Sequence, residues 1–208
     1  MKVAVYVDGF NLYYRGLKKT PFKWLDLSAL AREFVRDDES LVSIKYFTAD
    51  ISSRDGNAEA KTRQETYLRA LRTIPSLTIH KGRFLAKTKM RPLVRDPARY
   101  VEVHDTEEKG SDVNLAAHLV NDAHLGRFDT AFVVSQDTDL CEPLRMVNKQ
   151  LGKTVGLIWL EDSRPGKRHR EVSNFIKHAN LSILRRCQFP DPVIGRGGRK
   201  IAKPLTWD

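Results

Sequence analysis

The pattern of apolar and polar positions along the chain alternates between two periods. Val3-Ala4-Val5-Tyr6-Val7 is a short, dense run of β-branched and aromatic residues, as expected for a buried first strand, and Asp8-Gly9 makes its sharp exit. Leu12 to Leu17 reads as a short helix or turn. Leu27, Leu30, Ala31, Phe34 and Val35 then recur at helical spacing behind Asp26, a candidate N-cap. Leu41–Ala49 predicts a second strand, Asp50–Asn57 a polar loop, and Asn57–Thr73 an amphipathic helix that Pro75 ends. Leu77–His80 predicts a third strand. Lys81–Arg99, broken by Pro92 and Pro97, predicts a protruding loop or hairpin from which Tyr100–Val103 returns as a strand.

The second half repeats the alternation. Val113, Leu115, Ala116, Leu119 and Val120 mark a helix with Asp112 in its first turn, where the helix dipole favours a carboxylate. Thr130–Ser135 is the most strand-like run and ends in Gln136-Asp137-Thr138-Asp139. A helix through Leu144, Val147 and Leu151 closes at Gly152, followed by a buried strand over Thr154–Leu160, a helix over Arg168–His178 and a last short strand over Leu181–Leu184. Strands alternating with helices predict an α/β fold: a three-layer α/β/α sandwich with a mainly parallel central sheet. Residues 1–188 form the expected domain. From Phe189 to the end, Pro, Gly, Arg and Lys dominate, and a mobile or loosely packed basic tail is expected.

Composition sharpens this picture in three ways. A chain of 208 residues that is 41% hydrophobic can bury one full core. Its net charge of +10 is concentrated: residues 81–99 and 164–186 each net +6, leaving −2 for the rest. Concentrated Lys and Arg suit a polyanion, or else form two solvated faces. Only Cys141 and Cys187 are present, without a CxxC pair, and no apolar stretch approaches the roughly 18–20 residues that cross a bilayer; a reducing, cytoplasmic setting without a membrane span is expected. Two motifs mislead. Leu151-Gly152-Lys153-Thr154 resembles the end of a phosphate-binding loop, but Val147 stands where the leading glycine belongs, and Asn180-Leu181-Ser182 is a sequon with no use in that compartment.

The chemistry lies in the acids. In a parallel sheet, strand exits and the first turn of a neighbouring helix open on one edge, which would gather Asp8, Asp112, Asp137 and Asp139. Close carboxylates cannot all stay ionised at little cost, so a hard divalent cation, Mg2+ or Mn2+, is the economical complement. Such a centre suits phosphoryl chemistry. Each acid also has a plain reading, as a helix cap or turn residue. Ser135 and Thr138 could hydrogen-bond water or substrate phosphate, or only form local turns. Tyr13, Tyr14 and Trp24 could be core, lid or base-stacking platforms.

Asp8-Gly9-Phe10-Asn11, then Glu108-Lys109-Gly110-Ser111-Asp112-Val113-Asn114-Leu115-Ala116, then Val133-Val134-Ser135-Gln136-Asp137-Thr138-Asp139-Leu140, in this order and spacing, resemble the NYN domain family of the PIN-like ribonuclease superfamily. The resemblance spans roughly residues 1–185. It implies a PIN-like sandwich and a metal-dependent ribonuclease, with Asp8, Asp112, Asp137 and Asp139 as the acidic metal site, Asn11 as its polar partner and RNA as substrate. Lys87, Lys89, Arg91, Lys167, Arg168 and Arg170 are the cations expected to hold RNA. Two departures from the pattern are Gln136, where many relatives have Asn, and His118, where many have an acid. The alternatives are a noncatalytic RNA-binding module that keeps the fold, and a phosphatase using Asp137 and Asp139 as a nucleophile pair. The second is disfavoured because Leu140, Cys141 and Glu142, rather than a threonine, follow Asp139. Homodimerisation is left open.

Overall fold

In a computed structural model, residues 1–51, 58–161 and 163–207 are described. The expected Asp50–Asn57 loop lies mostly outside them. The strands are β1 (Lys2–Asp8), β2 (Ser40–Ala49), β3 (Leu77–Leu93), β4 (Asp96–Lys109), β5 (Thr130–Val134), β6 (Thr154–Trp159) and β7 (Phe175–His178), with a short pair β8 (Val193–Ile194) and β9 (Lys200–Ile201). The helices are α1 (Gly9–Asn11, continued by a π-helical turn over Leu12–Leu17), α2 (Leu27–Arg32), α3 (Ala58–Leu71), α4 (Ser111–His124), α5 (Cys141–Arg145), α6 (Lys167–Val172) and α7 (Leu181–Arg186).

Seven strands form one sheet in the order β4-β3-β2-β1-β5-β6-β7, parallel throughout except for antiparallel β4. β1 is central, and all its residues from Val3 to Asp8 are buried, as its continuous apolar run requires of a strand covered on both faces. Connections lead from β1 to β2 and β3 on one side and to β5, β6 and β7 on the other, so the strand order reverses between β1 and β5. In open α/β sheets that reversal point, at the carboxyl ends of the strands, is where a crevice opens.

Two cores sandwich the sheet. One packs Leu27 and Leu30 of α2, Tyr67, Leu68 and Leu71 of α3 and Leu184 of α7 against Val5, Val7 and Phe132. The other packs Leu115 and Leu119 of α4, Leu144 of α5 and Val172 of α6 against Tyr6, Val133 and Leu157. Asp26 caps α2 as its sequence position suggests, its carboxylate accepting from the backbone N–H groups of Ser28 (2.8 Å) and Ala29 (3.2 Å).

Three expectations are corrected. The helix predicted over Arg168–His178 stops at Val172, and Phe175–His178 becomes edge strand β7. Asn174 enforces the change: its side chain accepts from Val155 N at 2.8 Å and its own N–H donates to Val155 O at 2.8 Å, docking the chain beside β6. The strand predicted over Leu181–Leu184 is helix α7, because Asn180 accepts from Ile183 N at 3.0 Å and so acts as its N-cap. Residues 189–207 are not loosely packed: Phe189, Val193, Ile201 and Trp207 are buried in the first core. Trp24 organises them, its ring meeting those of Phe189 (5.7 Å), Tyr67 (6.2 Å) and Trp207 (6.2 Å) and its indole N–H donating to Pro190 O at 3.2 Å.

The segment expected as a loop or hairpin is a hairpin, and a long one. β3 continues well past His80 and pairs with β4 from Arg83↔Lys109 to Leu93↔Asp96, the prolines falling near its tip. Towards that tip Met90, Pro92, Val94 and Tyr100 are all exposed.

Candidate active site

The site is assembled at the reversal point. Val7 pairs with Val134, so Asp8 and Ser135 leave the sheet side by side. The Ser135 hydroxyl donates to Asp8 Oδ2 at 2.9 Å, and the Asn11 backbone N–H donates to Asp8 Oδ1 at 2.9 Å. Asp8 therefore does both things its sequence position allows, capping α1 and holding the exit of β5. Gly9 makes this close approach possible. A Cβ there would lie 2.6 Å from the Tyr46 ring and 2.8 Å from Phe47 O.

Asn11 has a defined role. Its side-chain oxygen accepts from the Gln136 N–H at 3.0 Å, tying the turn after β1 to the turn after β5. Asp137 then caps the 3-10 turn over Thr138–Leu140, accepting from Asp139 N at 2.9 Å, while its own N–H donates to Ser135 Oγ at 3.1 Å. Ser135, expected on the substrate side, is instead buried and acts as the bridge between Asp8 and Asp137.

Asp112 enters from α4. The turn that delivers it is clamped by Glu108, whose carboxylate accepts from the Ser111 N–H (3.0 Å) and hydroxyl (2.8 Å). Gly82 lies directly against this turn, where a Cβ would come within 2.5 Å of Lys109 O. Burial first, and then the charges of Asp8, Asp137, Glu108 and Asp139, push the Asp112 carboxyl up to about 6. Asp8 is likewise raised by burial and by Asp137, against the lowering effect of its hydrogen bonds from Asn11 and Ser135. The acids thus share one electrostatic neighbourhood. Among the described residues, however, no three His, Cys, Asp or Glu side chains stand close enough to form a ready set of metal ligands. The expected convergence on one ion is therefore not preformed, and Asp8 and Asp137 each accept hydrogen bonds from protein donors. Ionised carboxylates keep further acceptor lone pairs, so this all-oxygen donor set still has the chemistry of a hard-cation site.

The raised Asp112 carboxyl has a signed consequence. It titrates near 3.8 when unfolded and near 6 when folded, so the folded chain binds more protons between those values. The associated stability is fully present below the unfolded value and is lost as pH rises through about 6. Asp112→Asn is expected to raise the Tm of the metal-free chain at neutral pH and to change it little near pH 4, where the wild-type carboxyl is already protonated. Equal shifts at both pH values would refute the account.

The expected RNA-holding cations divide. Arg168 lies within electrostatic reach of Cys141, whose thiol, raised first by burial, also feels Asp137 and Asp139. Lys87 and Lys89 are committed to Glu107 (2.9 Å) and Asp105 (2.6 Å) across their own hairpin, and Arg91 also bears on Asp105. Lys167 pairs loosely with Glu171 at 3.8 Å, and Arg170 donates to Pro165 O. His118 belongs to a polar cluster between α4 and the sheet. Its ring is 4.1 Å from that of His80, and its Nδ1 is 3.5 Å from Lys45 Nζ. There Lys45, Tyr6 and Arg127 all bond the buried Asp122.

Two features go beyond what the sequence indicated at residues it had already singled out. Gln136, immediately before Asp137, is buried with both polar side-chain atoms lacking a hydrogen-bond partner among the described residues. Beside Gly9 opens a cavity of about 540 Å3 lined by Phe10, Tyr13, Tyr14, Tyr46, Tyr67 and Phe84. Lys18, Lys23 and Arg63 stand at its wall, and Lys18 lies 4.9 Å from the Tyr14 ring centre. The Tyr46 hydroxyl is raised first by burial and then by the charge of Asp8, which shows how near this cavity lies to the acids. The cluster of aromatics at Phe10–Tyr14 was the one available signal.

No helix among the described residues is long and apolar enough to cross a membrane. Residues 2–182 match the family model described as the NYN domain. A curated relative from Pseudomonas putida, named 6-hydroxy-3-succinoylpyridine 3-monooxygenase HspA, is 30% identical over 242 aligned residues, covering 100% of this chain and 75% of that protein. The crystal structure of a protein of unknown function from Vibrio parahaemolyticus has the same fold, with a TM-score of 0.53 at 17% identity over 86% of this chain and 93% of that one. The match over nearly the whole chain carries the identification: this protein belongs to the NYN domain family, whose nuclease-like α/β fold it shares.

Proposed function

We propose that the protein is a divalent-metal-dependent ribonuclease, an endonuclease that hydrolyses RNA phosphodiester bonds at the acids grouped around Asp8. The observation that supports it most is the electrostatic grouping of Asp8, Asp112, Asp137 and Asp139, whose charges add to burial in pushing the Asp112 carboxyl up to about 6, in a chain of net charge +10. An acidic centre within a basic protein suits a polyanionic substrate that brings or meets a cation. Asp8 and Asp137 are the principal residues to hold Mg2+ or Mn2+, with Asp112 and Asp139 completing the site or orienting water. A cation held there would supply positive charge against the phosphate oxygens and would make water more acidic. Asn11 and Ser135 are positioning residues, fixing the turns that carry Asp137 relative to Asp8. Arg168, within electrostatic reach of Cys141 as Asp137 and Asp139 are, is the cation proposed to meet the anionic chain. Thr138, at the start of the turn that Asp137 caps, is the hydroxyl proposed to meet substrate.

The full chain incubated with RNA and Mg2+ or Mn2+ is expected to produce shorter fragments, and chelation by EDTA to stop their formation. Binding without cleavage under any divalent ion would leave the noncatalytic RNA-binding reading in place.

A second reading is favoured by the aromatic cavity together with the monooxygenase name of the Pseudomonas relative. It makes the protein an enzyme of a small aromatic acid, whose ring would lie among Tyr13, Tyr14 and Phe84 and whose carboxylate would meet Lys18 or Lys23. Hydroxylation would need dioxygen and an external two-electron reductant, one oxygen atom entering the ring and the other leaving as water. Quenching of intrinsic fluorescence by a pyridine carboxylic acid, with loss of the response in Tyr14→Ala, would favour it.

A further inference from the structure

The structure gathers a group of arginines that are far apart in the sequence and lie outside both +6 regions. Arg69 and Arg72 come from the last part of α3 and just beyond it, and Arg196 and Arg199 from the turn between β8 and β9. With Lys81 they line an open cleft of about 1000 Å3 that also takes in Leu77, Ile79 and Ile201 and, among the described residues, no acid. Lys81 is paired with Asp50, but none of the four arginines has an acidic partner among the described residues.

The cleft is built rather than incidental. The arginine turn is closed by Gly195 N–H donating to Arg199 O at 2.8 Å and by Gly198 N–H donating to Gly195 O at 3.2 Å. It is anchored by buried Val193 and Ile201, so Arg196 and Arg199 are held over α3 by the packing of the first core. Arg69 and Arg72 are three positions apart along the chain at the end of α3, a spacing at which like charges repel. Four cations lining one cleft without an acidic partner among the described residues cost the folded state through self-repulsion, a cost that a bound polyanion relieves. Arginine is suited to this because its planar fork grips phosphate oxygens in pairs.

We infer that this cleft binds the phosphate backbone of RNA, as a second contact surface apart from the acidic centre. The inference rests on the ribonuclease reading for the identity of its ligand. It implies that substrate is gripped along β3 and α3 while Asp8 and Asp137 act at the sheet edge.

The test is equilibrium binding of an unstructured, fluorescently labelled oligoribonucleotide to the full chain carrying Asp137→Asn, measured by anisotropy over a range of salt. Against that background, Arg196→Glu with Arg199→Glu is expected to weaken binding at least about tenfold. If those two arginines neutralise two phosphates, the plot of log affinity against log salt should flatten by about 1.4. Arg69→Glu with Arg72→Glu should act alike. Arg32→Glu with Lys149→Glu, an equal change of charge at exposed positions outside the cleft, should weaken binding less and leave the slope nearly unchanged. Thermal melting of each variant checks that it is folded. If cleft and control pairs weaken binding equally, or if the cleft pairs leave the slope unchanged, the inference fails; so it does if the parent binds no RNA. Because the readout is binding by a variant disabled at Asp137, failure here is separate from failure of the cleavage assay, which alone bears on the proposed reaction.

Discussion

Asp137→Asn is expected to reduce divalent-metal-dependent RNA cleavage by at least about 100-fold, the upper range for losing a residue that merely supports metal ligands. That corresponds to about 2.7 kcal/mol of transition-state stabilisation. The substitution is clean for a structural reason. Asp137 caps the turn over Thr138–Leu140 by accepting from Asp139 N at 2.9 Å, and asparagine caps about as well as aspartate. The turn and the hydrogen bond from Asp137 N to Ser135 should therefore survive, and only the charge is lost. RNA affinity should hold or rise slightly, since one negative charge has been removed near the substrate. Cleavage at the wild-type rate would remove Asp137 from the mechanism, whatever the fate of the other acids. A fall in RNA binding as deep as the fall in cleavage would make Asp137 structural.

Trp24→Ala is expected to have the largest effect on stability. Its side chain is among the largest fully buried ones and touches Tyr67, Phe189 and Trp207. Truncating a buried tryptophan costs about 3–5 kcal/mol. For a chain of this size that lowers Tm by about 6–20 °C. Its special consequence is local. Phe189 and Trp207 would lose their common partner, so residues 189–207 should become protease-sensitive at temperatures where the sheet still holds. A change below about 1 kcal/mol in chemical denaturation would show that the C-terminal segment packs well without Trp24.

How much of this was legible in the sequence follows from the range of the forces involved. The central strand could be read because Val3–Val7 is apolar on both faces, which only a strand covered on both sides tolerates. The grouping of Asp8 with Asp137 was legible for the same reason, since both follow such runs. Phe175–His178 was read as helix because Val172, Phe175 and Ile176 also fit helical spacing. The bonds between Asn174 and Val155 that decide the matter join neighbours nineteen residues apart. The C-terminal segment concealed its packing because its Gly, Pro and Arg content hides four irregularly spaced apolar anchors. Pairing of Lys87 and Lys89 within the hairpin depended on register, and the convergence of Arg69 with Arg199 on tertiary folding, neither of which a local pattern records.

The central position of β1 also governs how the chain reaches this state. Asp8 precedes Ser135 by 127 residues, and the pairing of β1 with β5 places them together. During synthesis β1 can pair with β2 early, but its other edge stays open until β5 has been made. A strand this apolar with an unpaired edge is a template for pairing between chains. Nascent or refolding chains should therefore pass through a period of vulnerability to aggregation that ends when β5 docks, and the same event brings Asp8 and Asp137 together.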